Sequence, residues 1–522
     1  MTLKLVRLIC ALLPIVSTAA LAAASCESLK DLKLPDTAIA LAETVAAGAF
    51  TAPKGVAGNF KSLPAFCRVA GSIKPTPDSD IRFEVWLPAA GWDGRFQGIG
   101  NGGFAGSINY VGLANEVVHG GAAASTDTGH PVEGIDASWA LGHREKLIDY
   151  GYRAIHETAE KGKAIVNAFY GEKPKHSYFA SCSNGGRQAL MEAQRYPADY
   201  DGIIAGAPAY RFTQLMAQFV WNTQALTSDQ ASYIPAAKLP AIAAAVLSAC
   251  DALDGVTDGL IEDPSKCHFD AAKLLCNGAE TKDCLTPAQA ATLNKIYAGP
   301  QGVNPGFSPG GEVGFLGWSG WILGMAPNKS AEYGFGTQAY ANFVFDNPSW
   351  DYHTFKLPVD LKRAEERAGK ALDATDPNLS AFRGRGGKLI LYHGWSDAAI
   401  PPANTIQYYE SVMAKMGAEK TESFTRWFMV PGMQHCGGGP GPNIFGEGDG
   451  ARSDAEHDIY AALERWVEQG IAPAKIIATK YKFDQNPKSG VVRTRPLCPY
   501  PQTAKYSGNG SIDDAANFVC AK

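Results

Sequence analysis

The segment Ser181-Cys182-Ser183-Asn184-Gly185-Gly186, read together with His435-Cys436, constrains this chain more than any other feature. Lys175 to Ala180 before it reads as a short strand, and Arg187 to Gln194 after it reads as a helix. A serine flanked by small residues at a strand-to-helix turn is how a hydroxyl is presented as a nucleophile, because the turn is too cramped for bulk. The position two before the serine, usually glycine, is Ser181 here and is still small. The serine and the distant histidine each have a cysteine as neighbour. A disulfide between those cysteines would hold their Cα atoms within roughly 7 Å. At about 3.8 Å per residue step, Ser183 and His435 would then lie within about 15 Å of each other.

The N-terminus carries Lys4 and Arg7, then an apolar run from Leu8 to Ala24 ending in small residues. This pattern, residues 1–25, reads as a secretory signal peptide and places the mature chain in the periplasm or outside the cell. Ala23-Ala24-Ser25 before Cys26 is a poor lipidation context, so Cys26 reads as a disulfide cysteine. No later run of uninterrupted apolar residues has the length to span a bilayer, so no membrane is expected. Removing Cys10 with the signal leaves ten of the 11 cysteines, and none forms a C-x-x-C pair, which argues for disulfides over zinc. Loss of Lys4 and Arg7 takes the formal charge from −5 to −7. With no basic stripe, the charge pattern argues against a nucleic-acid partner.

Three blocks follow. Residues 26–212 contain an extended segment at Ile81–Pro88, a glycine-rich turn at Gly98–Gly106, a helix over about Leu147–Tyr170 and a second buried strand within Tyr200–Pro208. Strands alternating with helices point to a parallel α/β sheet. Residues 213–380 are different, with Trp221, Trp318, Trp321, Trp350, Tyr333, Phe335, Tyr340, Phe343 and Phe345 among Gly, Pro and Asn. Cys250, Cys267, Cys276 and Cys284 cluster here, so the block reads as an inserted lid with its own disulfides. Several of its aromatics are expected to line a substrate pocket, and the rest to form core. In residues 381–522 the sheet pattern resumes with strands at Gly387–Asp397 and Arg426–Gly432, a helix at about Ala403–Met416 and a terminal helix at roughly Asp454–Gln469. Pro75–Asp80 and Gly446–Asp454 read as surface loops.

Ser183, Asp397 and His435 stand in the chain order of α/β-hydrolase triads, each at a predicted strand end. In those roles Ser183 attacks an acyl carbonyl, His435 moves the proton and Asp397 orients the imidazole. Taken singly, each is also an ordinary turn or loop residue; order and position together favour the catalytic reading. His393 and His130 are weaker candidates for the base, and His393 reads as structural. An oxyanion hole needs backbone N–H groups aimed at the developing charge. The residue after the serine, Asn184, and the Gly102-Gly103 turn, with Gly103 as donor, fit that need.

Cys250 to Leu260 packs Asp251, Asp254 and Asp258 into one loop with two glycines. Hard cations seek several such oxygens, yet the spacing is not that of an EF-hand and fits a solvated acidic turn equally well.

At Cys182-Ser183, Asp397 and His435-Cys436 the chain resembles the tannase and feruloyl esterase family of serine esterases. Its Gly100–Gly106 turn and the segment Ser125–His130 are similar to that family too. The resemblance covers essentially the whole mature chain. It implies an α/β-hydrolase fold with a large lid domain inserted between nucleophile and acid. It also implies five disulfides, Cys26–Cys67, Cys182–Cys436, Cys250–Cys267, Cys276–Cys284 and Cys498–Cys520. Structural Ca2+ is implied in the lid, on side chains of Asp251, Asp254 and Asp258 and carbonyls of Val256 and Leu260. The implied substrates are small esters of aromatic acids: gallates, hydroxycinnamates or, in one branch, mono(2-hydroxyethyl) terephthalate. That branch clamps a free carboxylate with a lid arginine, whereas residues 311–350 here hold Lys329 as their one cation. A non-catalytic, calcium-stabilised binding protein on the same scaffold is the competing class, and the intact Ser, Asp and His argue against it.

Overall fold

The computed structural model describes residues 24–314, 317–446, 454–484 and 486–522. The proposed signal peptide, apart from Ala24 and Ser25, and most of the Gly446–Asp454 loop lie outside the described residues.

Nine strands form one central sheet: β1 Thr37–Val45, β2 Phe66–Ile73, β3 Ile81–Pro88, β4 Arg95–Ile99, β5 Ala122–Thr126, β6 His176–Cys182, β7 Gly202–Gly206, β8 Lys388–Gly394 and β9 Thr425–Val430. Their order is β1-β2-β3-β5-β4-β6-β7-β8-β9. From β5 to β9 the pairings are parallel, as the alternating strands and helices predict. The sheet as a whole is mixed, however, because β1, β2, β3 and β5 pair antiparallel. β7 is buried throughout and β6 over its centre, Ser177–Ala180, as expected where helices cover both faces. The alanine-rich β1 at the sheet edge is half exposed and carries a weak pattern.

The helix predicted at Leu147–Tyr170 starts one turn earlier, as Arg144–Ile148, and continues through a π-helical stretch, Asp149–Arg153, into Ala154–Tyr170. The helix after β6, Asn184–Arg195, is buried over most of its length against the sheet. The predicted terminal helix spans Ile459–Gln469, its first turn capped by the Asp458 carboxylate. It is not terminal. Two small antiparallel pairs follow it, β10 Ile476–Tyr481 with β11 Val491–Leu497 and β12 Thr503–Tyr506 with β13 Phe518–Ala521.

Between β7 and β8 the chain leaves the sheet and is mainly helical, with long helices at Phe212–Thr227, Leu239–Cys250 and Pro287–Ala298. One apolar cluster, including Leu226, Ile242, Val246, Leu293 and Trp318, belongs mostly to this insertion. A second joins it to the sheet domain by packing Phe104 and Tyr150 with Phe212, Tyr340 and Phe343. Residues 230–254 have the length and hydropathy of a membrane span. Here Ile242, Val246 and Cys250 are buried in the insertion, and the Lys238 ammonium is bonded to the Cys284 carbonyl. All five implied cysteine pairs are disulfide-bonded.

Candidate active site

Ser183 sits between β6 and the helix Asn184–Arg195 with φ +67° and ψ −124°, a conformation costly for any residue with a side chain. Its neighbours make the turn possible. A Cβ on Gly185 would lie 1.8 Å from Ser181 Oγ, and one on Gly186 would lie 2.2 Å from the Gly206 carbonyl. The small residues read from the sequence are therefore required by contact, and they turn the Ser183 hydroxyl out of the sheet edge.

Asp397 follows β8 and His435 follows β9, and the structure brings both to Ser183. His435 Nε2 is 2.9 Å from Ser183 Oγ, and His435 Nδ1 is 2.8 Å from Asp397 Oδ2. The Asp397 carboxylate is fully enclosed. Its Oδ1 accepts from the N–H groups of Ala399 and Ile400 at 2.7 and 2.8 Å. Burial alone would raise its pKa, but the charge and hydrogen bonds of His435 and His393 outweigh that and hold it well below the ordinary carboxylate range. Cys182 and Cys436 are bridged with Cα atoms 6.0 Å apart, which ties the loop of the histidine to the elbow.

Gly103 and Asn184 face the same cleft as Ser183. Asn184 opens its helix, so its N–H has no acceptor within the helix. The Tyr150 hydroxyl lies 2.9 Å from Asn184 Oδ1 and 3.1 Å from the Gly103 carbonyl, donating between them. Arg187, wholly buried, donates to the same Asn184 oxygen at 2.7 and 2.9 Å and to the Gly151 carbonyl at 2.7 Å. This clamp on the two expected oxyanion donors has no trace in local sequence pattern.

Phe104, Phe212, Met216, Phe219, Trp321 and Phe335 wall the cleft, and no cationic side chain is among its described lining residues. Larger grooves lie elsewhere on the surface, but this cleft holds Ser183 and His435 together. Of the aromatics singled out in the insertion, Trp321 and Phe335 line it. Trp318, Tyr340 and Phe343 are core, and Trp221, Tyr333, Phe345 and Trp350 pack around that core. The Trp321 ring meets His435 edge to face at 5.1 Å. His130 is stacked on Trp139 at 3.8 Å, away from Ser183, and burial pushes its pKa down to about 4. It is no part of this site.

The acidic loop is closed by its own carboxylates. Asp251 accepts from the N–H groups of Asp258 and Gly259, Asp254 from Val256 and Asp258 from Leu260. Asp258 also pairs with Arg495 and, at 3.2 Å, with Arg493. Among the described residues no three acidic, histidine or cysteine side chains converge as a metal site. The chemistry of the donors still suits a hard cation, with three carboxylates and the loop carbonyls of Val256 and Leu260 in ten residues. Burial raises the pKa of Asp254, and the neighbouring Asp258 adds to the rise.

The family model described as tannase and feruloyl esterase matches residues 67–521. The chain belongs to that family. It is 46% identical to an uncharacterised esterase of Xanthomonas campestris, over 96% of this chain and 92% of that protein. It is 35% identical to the mono(2-hydroxyethyl) terephthalate hydrolase of Piscinibacter sakaiensis, over 95% and 92%. The crystal structure of feruloyl esterase B from Aspergillus oryzae superposes with a TM-score of 0.86 at 30% identity, covering 95% of this chain and 99% of that one. The fold is the α/β-hydrolase fold, and this member of the tannase and feruloyl esterase family is a carboxylic ester hydrolase.

Proposed function

We propose that this esterase cleaves small esters of aromatic carboxylic acids, as its feruloyl esterase relatives are named for, through an acyl-enzyme on Ser183. The observation that carries the reading is the bonded line Ser183–His435–Asp397 opening into a cleft of aromatic side chains. Ser183 Oγ bonds to the ester carbonyl carbon while its proton passes to His435 Nε2. The carbonyl oxygen takes the negative charge beside the N–H groups of Gly103 and Asn184. Collapse breaks the bond to the alcohol oxygen, which receives the His435 proton. Water then repeats the sequence on the acyl-enzyme, releasing the acid and restoring Ser183. Asp397 stays ionised and holds the imidazole throughout.

The absence of a cation among the described cleft residues favours an acyl group that carries no free carboxylate. Methyl gallate, methyl ferulate, chlorogenate and mono(2-hydroxyethyl) terephthalate, assayed for acid release, test this directly. The esters with an uncharged acyl group, the first three, are expected to turn over with the highest kcat/KM. Preference for the terephthalate monoester would establish the other named specificity, and no release from any of the four would end the aromatic-ester reading.

We further propose that Ca2+ binds the acidic loop, held by Asp251, Asp254 and Asp258 with the carbonyls of Val256 and Leu260. Its role there is to neutralise crowded carboxylates, with no part in bond breaking. The signal-like N-terminus and five disulfides also support an exported protein.

A further inference from the structure

One loop of the lid grips the residues that immediately precede the acid and the base. Ser396, next to Asp397, donates its hydroxyl to the Gly310 carbonyl at 2.9 Å. Gln434, next to His435, donates from Nε2 to the Val313 carbonyl at 2.5 Å. The approach is close enough to demand glycine. A Cβ on Gly311 would lie 2.6 Å from the Ser396 carbonyl oxygen, and one on Gly314, at φ +120°, would lie 2.6 Å from Gln434 Nε2. The loop itself is folded around the Glu312 side chain. Its Oε1 accepts from the Gly310 N–H at 2.9 Å and from the Tyr297 hydroxyl at 2.6 Å. Glu312 is only 1% exposed. A carboxyl buried this deeply is costly unless hydrogen-bonded, and these two donors supply the bonds.

We propose that Glu312 and its loop are a positioning element for the Asp397–His435 pair, so that the lid sets the geometry of the proton-transfer machinery as well as covering the cleft. This rests on the assignment of Ser183, Asp397 and His435 as the catalytic residues. Glu312 fixes the turn at Gly310, and the turn fixes Ser396 and Gln434. Those two residues fix the backbone from which Asp397 and His435 project. The chain of contacts joins the two loops through a third segment far from both in sequence. A shift of about 1 Å in such a constellation costs on the order of a hundredfold in turnover.

The test compares Glu312→Ala, Glu312→Gln, Gln434→Met and Ser396→Ala in the full-length protein. Glutamine retains the acceptor for Gly310 and Tyr297, so Glu312→Gln is expected to keep kcat within about threefold. Glu312→Ala and Gln434→Met are expected to lower kcat about 10- to 100-fold with KM within about twofold, the mark of a lost transition-state arrangement. Labelling of Ser183 by a small organophosphorus probe should slow in parallel, since it needs the base but not the acyl pocket. Where Glu312→Ala does not fold, Gln434→Met and Ser396→Ala decide the matter. Folded Gln434→Met and Ser396→Ala with unchanged kcat and labelling rate would overturn the proposal and leave the loop a cover alone. Equal loss in Glu312→Gln and Glu312→Ala would overturn the role of the Glu312 hydrogen bonds. Failure of the underlying triad assignment is separable, because it would appear as an active Ser183→Ala.

Discussion

His393 Nε2 lies 3.1 Å from Asp397 Oδ2, the same oxygen that His435 reaches from the other side. His393 is completely buried, with Nδ1 2.7 Å from the Thr405 hydroxyl and Nε2 also 3.0 Å from the Ile400 carbonyl. The acid therefore has two imidazoles on one oxygen and two backbone N–H donors on the other. The sequence marks His393 as structural, and its place is beside the acid, bonded to Thr405 and Ile400. Removing it withdraws one of the influences that keep the Asp397 pKa low. In His393→Gln that pKa should rise toward the ordinary carboxylate value. Because the ionised form is the useful one, activity should then be lost at a higher pH on the acid side. We expect about a tenfold lower kcat near neutrality, with the deficit widening only as the pH falls toward about 4, the ordinary carboxylate range. Parallel pH–rate curves for the variant and the parent would remove His393 from the system that tunes Asp397.

Ser183→Ala should leave the fold intact and lower ester hydrolysis by several orders of magnitude, with His435→Ala and Asp397→Asn also severe. Asp397→Asn is the most informative of the three. It keeps the shape of the side chain but alters what His435 Nδ1 can donate to. Turnover and active-site titration on the same preparations give the answer. A Ser183→Ala protein with parental activity would mean that another group is the nucleophile.

What the sequence could reveal depended on whether the physical requirement was local. The elbow was legible because strand, small residues and helix are consecutive, and Asp397 and His435 because they follow apolar runs that became β8 and β9. β1 was not legible, since a half-exposed alanine-rich edge strand has little alternation to read. β10 to β13 were missed for a related reason. They are short pairs with few buried positions, and Val491 and Val492 are exposed. The contacts of Arg187, Glu312 and Gln434 left no periodic mark, because each depends on a partner brought near by the complete fold. The antiparallel half of the sheet escaped notice because strand periodicity gives the element but not its direction.

The Cys182–Cys436 bridge closes a separation of 254 residues. In the chain-entropy model that is worth on the order of 5 kcal/mol. The local effect should be larger for function, because Cys436 is held at φ +60° directly beside His435. Cys182→Ala/Cys436→Ala should therefore lose activity at temperatures where it remains folded. Circular dichroism and kcat measured on the same samples distinguish this from simple destabilisation. Coincident loss of ellipticity and activity would leave the bridge a stabilising link only.

Calcium in the acidic loop should stabilise without altering the chemistry. The loop packs beside the C-terminal strands, where Val256 clusters with Cys498, Ala504 and Phe518, and Asp258 pairs with Arg495. Stripping the ion should thus loosen the junction between lid and C-terminus. We expect a fall of several degrees in Tm on exhaustive chelation, restored by Ca2+ and reproduced by Asp254→Ala. At low temperature kcat should be nearly unchanged. Metal analysis that finds no calcium in protein purified without chelator, or a Tm indifferent to both chelator and added Ca2+, would sink the assignment.

Asp127 gives stability a pH dependence of definite sign. Its carboxyl is 3% exposed, and burial lifts its pKa from 3.8 to about 7 against the pull of the N–H groups of Gly129 and Arg82. Oδ1 accepts both of those donors, at 2.8 and 3.0 Å, while Oδ2 has no hydrogen-bond partner among the described residues. The folded state therefore holds the proton more tightly than the unfolded chain does. The contribution of Asp127 is complete below about pH 4, declines as pH rises and is lost above about 7. Its size is on the order of 1–4 kcal/mol. Asp127→Asn retains the acceptor for Gly129 and Arg82 but has no proton to lose. Its Tm should consequently vary less with pH, gaining on the parent between about pH 4 and 7. The main-chain carbonyl of Asp127 also accepts from Gly106 in the glycine-rich turn, at 3.2 Å. Ionisation should thus disturb the turn that carries Gly103, and parental kcat should decline over the same pH range more than that of Asp127→Asn. Calorimetry and initial rates across that range check both statements. If the parent and Asp127→Asn show the same slope in Tm, the buried carboxyl is not the group that titrates.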